Sequence, residues 1–216
     1  LQRLDQSERV LEIGCGWGGF AERAADAGHH VTGLTISPSQ KGYADARLDG
    51  RADIRLQDYR KSTGQFDSIV SIEMIEAVGQ NYWPTYFATL KARLAAHGSA
   101  MIQAITVPDA HFDTYQRNSD YIRHYTFPGG MLLSNAVIAD QARQAGLVVK
   151  DSHAFGQDYA RTCSVWNERL DQQADRIRMY GYDESFLRNW RYYLGTCAAS
   201  FAVGQTDVVQ VELVHA

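Results

Sequence analysis

The sequence predicts an α/β protein built on a doubly wound, mostly parallel sheet with helices on both faces. Three observations carry that expectation. Short β-branched runs alternate with helical stretches through the N-terminal half of the chain, the pattern of βαβ units. The first run, residues 10–13, breaks into a glycine-rich loop that leads directly into a helical pattern. The chain has 216 residues, enough for one α/β domain with a sizeable core.

The elements follow in order. The strand 10–13 (Val-Leu-Glu-Ile) leads into Gly14-Cys15-Gly16-Trp17-Gly18-Gly19 and a helix over 20–27. Glycine is needed where a tight turn must bring bare backbone against a ligand, and the helix that follows points its free N–H groups at the same place. That combination is a nucleotide cradle. A second strand, 31–34, ends in Thr35. Ser37 then caps a helix with Pro38 in its first turn, running to about 48. A third strand, 54–57, ends in Asp58-Tyr59, and a fourth, 66–72, ends in Glu73-Met74-Ile75-Glu76. A helix over 82–94 and a fifth strand over 98–106 complete the regular part. In such sheets ligands sit outside the carboxyl ends of the strands, so Glu12, Gly14, Thr35, Asp58 and Glu76 should converge on one crevice.

The stretch 107–130 breaks the rhythm. It carries Phe112, Tyr115, Tyr121, Tyr125 and Phe127 and closes with Phe127-Pro128-Gly129-Gly130. Such an insertion is placed to be a lid or substrate channel; a helix packed for stability is the open alternative. Ser134 caps a helix to about 145, a sixth strand spans 147–155, helices span 161–180 and 184–203, and a seventh strand spans 207–214. Without repeats or linkers, 1–216 reads as a single domain.

Composition excludes several classes. The net charge is −4, which offers no broad face for a polyanion and implies no nucleic-acid partner. Cys15, Cys163 and Cys197 have no paired spacing, which points to a reducing, cytoplasmic compartment and to no metal site. No apolar run is long enough to span a bilayer and no signal-peptide pattern is present. The sequence opens on Leu1 rather than Met, and the expectation is that the natural N-terminus lies upstream. Gly14, Gly16 and Gly19 fit the dinucleotide fingerprint G-x-G-x-x-G, which keeps an NAD-linked dehydrogenase in view. Thr35 speaks against it, because it stands where an acid would hold an NAD ribose.

An acidic residue two positions before G-x-G resembles the first motif of class I S-adenosylmethionine (SAM) methyltransferases, which have a Rossmann-like fold. Further pieces narrow the resemblance: Leu34 to Gln40 (LTISPSQ), Gln57-Asp58-Tyr59-Arg60, Met74-Ile75-Glu76-Ala77-Val78-Gly79, Tyr125-Thr126-Phe127-Pro128-Gly129-Gly130, Phe155-Gly156-Gln157-Asp158-Tyr159, and Leu194-Gly195-Thr196-Cys197-Ala198. In this order, over nearly the whole chain, they resemble the cyclopropane-fatty-acid synthases and the related mycolic-acid cyclopropane synthases. The resemblance implies that Glu12, Gly14 and Gly16 cradle the methionine end of SAM; Cys15 is counted with them among the cofactor-binding residues, and its place between the glycines also reads as structural. It implies that Thr35 and Gln40 take the ribose and nearby groups, and that Asp58 and Tyr59 flank the adenine.

The implied reaction is attack of an acyl-chain alkene on the SAM methyl, giving a carbocation that aromatic faces stabilise; Tyr121, Tyr125, Phe127 and Tyr159 are the candidates. Loss of a proton then closes a cyclopropane. The resemblance implies bicarbonate as the base, held by Glu76, Ile105 and Tyr159, with Gln103 standing where the family has a histidine and an upstream cysteine lying outside this sequence. Gln103 can donate an N–H to an anion but carries no charge, which leaves ring closure open while methyl transfer stands. Cys197 matches a cysteine once proposed as catalytic in the family; within its helical apolar pattern it also reads as a small buried residue. The expected partner is an unsaturated acyl lipid, reached by transient contact at the inner membrane face, with Arg188 and Arg191 near Trp190, Tyr192 and Tyr193 as a candidate surface and a homodimer as an open expectation. The alternatives are a lipid methyltransferase giving a methyl-branched or still unsaturated product, a methyltransferase for a soluble small molecule, and a non-catalytic SAM- or lipid-binding scaffold.

Overall fold

The computed structural model describes residues 8–216; the expectation about the start of the chain lies outside them. Seven strands form one sheet: β1 (Arg9–Ile13), β2 (His30–Thr35), β3 (Asp53–Leu56), β4 (Phe66–Ile72), β5 (Leu94–Thr106), β6 (Leu147–Ala154) and β7 (Asp207–His215), in the order β3-β2-β1-β4-β5-β7-β6. The helices are α1 (Gly19–Asp26), α2 (Pro38–Leu48), α3 (Trp83–Arg93), α4 (Asp109–Arg117), α5 (Asn135–Gln144), α6 (Gly156–Gln172), α7 (Ala174–Met179) and α8 (Glu184–Ala202). β1 pairs in parallel with β2 and β4, β2 with β3, and β4 with β5. β7 runs against its neighbours. Phe155 N–H donates to the Val208 carbonyl at 2.9 Å while Ala216 N–H donates to that of Gly146 at 3.2 Å, so numbering rises along β6 as it falls along β7. In the same sense His215 meets the Leu94 and Ala95 carbonyls while Gln210 meets Gln103.

The chain divides into two compact units, one of residues up to Ala104 with Ala136–His153 and Gln210–Ala216, the other of Ile105–Asn135 and Ala154–Val209. In the first, β1 lies inside the sheet between β2 and β4, and Val10, Leu11 and Ile13 are fully buried, as expected of a parallel strand covered on both faces. α1 lies close to the sheet through the small side chains of Ala21 and Ala24, both wholly buried. α2 begins as its sequence dictates: the Ser37 hydroxyl accepts from the Gln40 N–H at 3.3 Å and Pro38 fills the first turn. Gly33 in β2 is required by packing, since a Cβ there would lie 2.6 Å from Ile54 Cδ1 and 3.0 Å from Cys15 Cβ.

In the second unit a core of Cys163, Phe201 and Val208 gathers Ile105, Phe155, Tyr159, Ala160, Cys197 and Ala198. The insertion falls here and is helical in part: α4 is followed by a π-helical turn over Ile122–Thr126. The expected helix 161–180 is two helices, and the first starts earlier, at Gly156. Its opening N–H donates to Asp207 Oδ1 at 2.7 Å. That tertiary cap is supplied from far along the chain and leaves no local signal. β5 begins at Leu94, four positions before the expected start, because α3 ends at Arg93.

Gly98 tests the tightness of the strand pairing. Its φ is not in the left-handed region, so only contact opposes a side chain, and a Cβ would lie 2.5 Å from the Asp67 carbonyl oxygen and 2.9 Å from Leu94 Cδ1. Overpacking of this kind typically costs about 1–3 kcal/mol. Gly98→Ala should therefore lower the urea midpoint with an unchanged slope; a midpoint equal to wild type would contradict the contact.

Candidate active site

β1 delivers the chain into a loop in which Gly14, Gly16 and Gly18 all take positive φ, of 80°, 52° and 81°. Side chains are disfavoured in that region. The Gly14 and Cys15 amides both donate to the Leu34 carbonyl, at 3.0 and 2.9 Å, tying the loop to the end of β2. A Cβ on Gly14 would lie 2.7 Å from Met74 Cγ, whereas one on Gly16 meets nothing within 4 Å, so Gly16 presents the open side of the loop. Gly18 precedes α1, and its Cβ would lie 3.1 Å from that of Ala44. Close packing against α2 thus falls on Gly18, whereas a Cβ on Gly19, the third glycine of the fingerprint spacing, would come no nearer than 3.8 Å, to the Arg47 guanidinium.

Glu12 sits beneath this loop, 3 % exposed. Its carboxyl accepts from the Ala21 N–H in the first turns of α1, while Oε2 has no partner. Burial pushes its pKa up to about 8, against the smaller opposing pull of that N–H. A buried carboxylate without a counter-charge is strongly disfavoured, and a cationic group brought to Oε2 would supply what is missing. The neighbouring Cys15 thiol is raised to about 11, by burial first and the Glu12 charge second, which keeps it protonated and structural.

The ends of β2 and β3 hold the next set. Buried Thr35 donates through Oγ1 to Gln40 Oε1 at 2.8 Å and accepts from the Ser37 N–H at 3.1 Å. These bonds orient the Gln40 amide. Asp58 accepts from the Arg60 N–H at 2.9 Å and from its guanidinium at 3.0 Å. The Arg60 side chain holds Asp58 below the usual carboxylate range, so it stays ionised. Tyr59 meets wholly buried Tyr86 edge-on, with ring centroids 5.8 Å apart.

Past β4 the chain turns through Glu73, which has a φ of 50°. Among the described residues only Asp49 shares this non-glycine conformation, and Asp49 is an ordinary left-handed helix C-cap. Such a residue costs about 1–3 kcal/mol and persists where its surroundings over-determine it. The Glu73 N–H donates to the Gln103 carbonyl at 2.9 Å. Its Oε1 accepts from Gln103 Nε2 at 2.8 Å, and Gln103 Oε1 accepts from Gln210 Nε2 at 2.9 Å. The Gln103 amide is thus fixed in orientation across β4, β5 and β7. Glu76 follows in a single 3-10 turn, partly buried. Burial, with the Glu76 charge as a lesser cause, raises the pKa of Tyr86, and the Ser71 hydroxyl opposes it.

The remaining candidates belong to the second unit. Ile105, Tyr159 and Cys197 share its apolar cluster. Tyr159 is held between Phe155 and Phe201, with centroids 5.6 and 5.5 Å away. Burial raises the Cys197 thiol to about 11, which supports its reading as a packed residue. Tyr121 packs on Tyr125 at 4.9 Å and Tyr192 at 4.7 Å, and Phe127 on Tyr193 at 5.4 Å. The first unit thus assembles Glu12, Gly14, Cys15, Gly16, Thr35, Gln40, Asp58, Tyr59, Glu76 and Gln103 at the strand ends, and the second assembles Ile105, Tyr159 and Cys197. Sequence reasoning missed the parts played by Glu73, Gln210 and Tyr86. The spacing of two glutamates in Glu73-Met74-Ile75-Glu76 was the signal for the first; the others depend on pairing across the sheet.

A doubly wound sheet with a glycine cradle and a buried acid on β1 defines a Rossmann-like fold of the SAM methyltransferase kind. The chain belongs to the mycolic acid cyclopropane synthetase family, which matches residues 1–211. It is 41 % identical over 218 aligned residues to the tuberculostearic acid methyltransferase UfaA1 of Mycobacterium tuberculosis, covering 98 % of this chain and 51 % of that protein. It is 37 % identical to the cyclopropane-fatty-acyl-phospholipid synthase of Escherichia coli, covering 97 % of this chain and 54 % of that one. The chain therefore spans about half the length of these curated relatives. Among solved structures it is similar to the mycolic acid cyclopropane synthase CmaA1 complexed with SAH and CTAB, with a TM-score of 0.87, 25 % identity, and coverage of 98 % of this chain and 79 % of that one. Among the described residues no helix is long and apolar enough to cross a membrane.

The raised pKa of Glu12 has a consequence for stability. Below about pH 4.5 its carboxyl is protonated in both folded and unfolded chains. As pH rises from there through about 8 the unfolded chain releases the proton first, so the contribution of Glu12 to stability is lost across that window. Glu12→Gln should unfold at a higher urea concentration than wild type at pH 8, with the gap closing towards pH 5. A gap independent of pH would contradict the buried, uncompensated carboxyl.

Proposed function

We propose that the chain is a SAM-dependent C-methyltransferase, acting as a single catalytic domain, that adds a methyl or methylene group to the double bond of an unsaturated fatty acyl chain. The observation that carries the reading is Glu12: a buried carboxyl with an unpartnered Oε2 directly under a glycine cradle, suited to the cationic methionine end of SAM. Bound SAM supplies an electrophilic methyl on a sulfonium. The chain's own residues bind and position. Gly14 and Gly16 admit the methionine end, Cys15 packs behind them, the Thr35–Gln40 pair takes the ribose, and Asp58 and Tyr59 border the adenine. Similarity to a structure with bound SAH and to a phospholipid-modifying synthase supports the cofactor and the substrate class.

The alkene is a weak nucleophile, so positioning supplies much of the acceleration. The faces of Tyr121, Tyr125, Phe127 and Tyr159 are the groups for a cation developing on the acyl chain. The family resemblance implies bicarbonate as the proton acceptor, held by Glu76, Ile105 and Tyr159. A second reading, methylation without ring closure, is favoured by Gln103, whose amide is fixed by Glu73 and Gln210 rather than charged like an imidazolium. The substrate is a membrane lipid on this account, and the protein is cytoplasmic with transient contact at the inner membrane face. The second unit exposes Trp166, Met179, Tyr180 and Tyr192, which suit an interface. In the surface first expected for this, Arg191 is paired with Asp171 at 2.6 Å and Trp190 packs on Tyr193 at 5.6 Å.

The test is mass spectrometry of lipids from a host expressing the full-length protein and fed methyl-labelled methionine. A labelled cyclopropane, or a labelled methyl branch with or without a retained double bond, is the expected outcome. Absence of label from every acyl chain would overturn the lipid substrate.

A further inference from the structure

We propose that the turn between α7 and α8, residues 179–182, is the element that enters a lipid surface and brings the protein to its substrate. The inference rests on the acyl-lipid reading above and names the part of the chain that makes the contact. The turn reads Met179-Tyr180-Gly181-Tyr182, and its three side chains are 85, 67 and 51 % exposed. Little stands behind it, since Ala174 is the one buried residue of α7. Single exposed apolar residues are ordinary on a protein surface, whereas three within four positions form a patch. The patch is held in shape. Gly181 takes a φ of 90°, and its N–H donates to the Arg178 carbonyl at 2.9 Å, closing α7. The Arg178 guanidinium donates to Asp175 Oδ1 at 2.6 Å on one side of the turn and to Glu184 Oε1 at 2.6 Å on the other. Asp183 caps α8 by accepting from the Phe186 N–H at 2.9 Å. Ion pairs and a cap thus fix an apolar surface that faces solvent.

Chemistry, size and continuity select a bilayer as the partner. Tyrosine buries its ring while keeping its hydroxyl wet, which places it at membrane interfaces. Arg176 lies with its guanidinium carbon 5.8 Å from the centre of the Tyr180 ring and donates to that hydroxyl at 3.3 Å, so a cation accompanies the ring at the depth of the headgroups. Three side chains on one turn fall far short of the roughly 20–30 residues a side that a stable protein interface uses, while shallow insertion of a few such side chains suffices for reversible membrane contact. The turn also opens onto a row of rings. Tyr182 stacks on Phe186 at 4.3 Å, Phe186 meets Trp190 at 6.1 Å, Trp190 meets Tyr193 at 5.6 Å, and Tyr193 meets Phe127 at 5.4 Å. Phe186, Trp190 and Tyr193 recur on one face of α8, so the row leads from the turn to Phe127, one of the rings assigned above to the acyl chain. Between Asp171 and Arg191 four arginines balance four carboxylates. Apolar insertion rather than attraction to an anionic surface therefore carries the contact, and salt should weaken it little.

The experiment is co-sedimentation of the full-length protein with vesicles of unsaturated phosphatidylcholine at low and at high salt. The double variant Met179→Ser/Tyr180→Ser should keep the wild-type Tm and its shift with SAM, and should bind the vesicles roughly tenfold or more weakly, as loss of two inserted apolar side chains requires. In turnover on the same vesicles the loss should fall on KM for the lipid and leave kcat unchanged. Tyr180→Trp should bind at least as tightly as wild type, and phospholipid brominated high on its acyl chains should quench the added indole. Wild type should bind nearly equally at both salt concentrations. A serine variant that binds as wild type does, an added indole that brominated lipid leaves unquenched, or wild-type binding abolished by salt would overturn the docking turn while leaving the methyltransferase reading intact. A serine variant with an altered mass at sedimentation equilibrium and unaltered vesicle binding would overturn it in favour of a protein partner. Insertion of the turn without transfer of a labelled methyl to any acyl chain would support the contact and overturn the lipid-substrate reading.

Discussion

The carbonyl oxygen of Leu34 accepts hydrogen bonds from two successive amides, those of Gly14 and Cys15, and the geometry of the cradle follows from that clamp. It pulls the loop after β1 against the end of β2, which is possible only because Gly33 leaves room for Cys15. Once the loop is drawn in, three backbone positions must be left-handed, α1 must start at Gly19, and Glu12 is left buried beneath the first turns of that helix. The carboxyl that results is costly for the protein alone and favourable for a protein holding a cation. Stability and binding are set against each other at one side chain, as is common where a site is preorganised.

A second constraint acts at the end of β4. β4, β5 and β7 are neighbours, and β7 runs opposite to the other two, which brings Gln210 alongside Gln103 although 107 positions separate them in the chain. The row Gln210, Gln103, Glu73 holds a strained backbone residue and a directed carboxylate in the same few ångströms. Cooperative side-chain networks of this kind rigidify what they include. Glu76 and Tyr86 adjoin the same strand end, so the chemistry-bearing groups of the first unit stand on sheet edges and short turns rather than on long loops.

Much of this was legible in the sequence. Alternation of apolar runs with capped helices gives the doubly wound sheet, and the motif order gives the family, because both depend on local residue patterns. Glu12, Gly14, Thr35 and Gln40 are legible for the same reason: each is fixed by its distance from a strand end. That Gly18 rather than Gly19 meets α2 closely turns on one residue of helix phase, which the spacing of glycines does not reveal. The early start of α6 depends on Asp207, and the orientation of Gln103 depends on Gln210; both partners are remote in sequence. The direction of a side-chain amide is a tertiary property, so the donation from Gln103 Nε2 to Glu73 leaves no local signal in the sequence.

The central claim, that a buried Glu12 awaits the cationic end of SAM, is tested most directly by calorimetric titration of SAM into the protein at pH 7 in buffers of different ionisation enthalpy. With a pKa of about 8, Glu12 is mostly protonated before binding and ionised against a cation afterwards. The account predicts that wild type releases a proton on binding that Glu12→Gln does not, and that the variant binds more weakly. Equal proton release and equal affinity in the two proteins would contradict it.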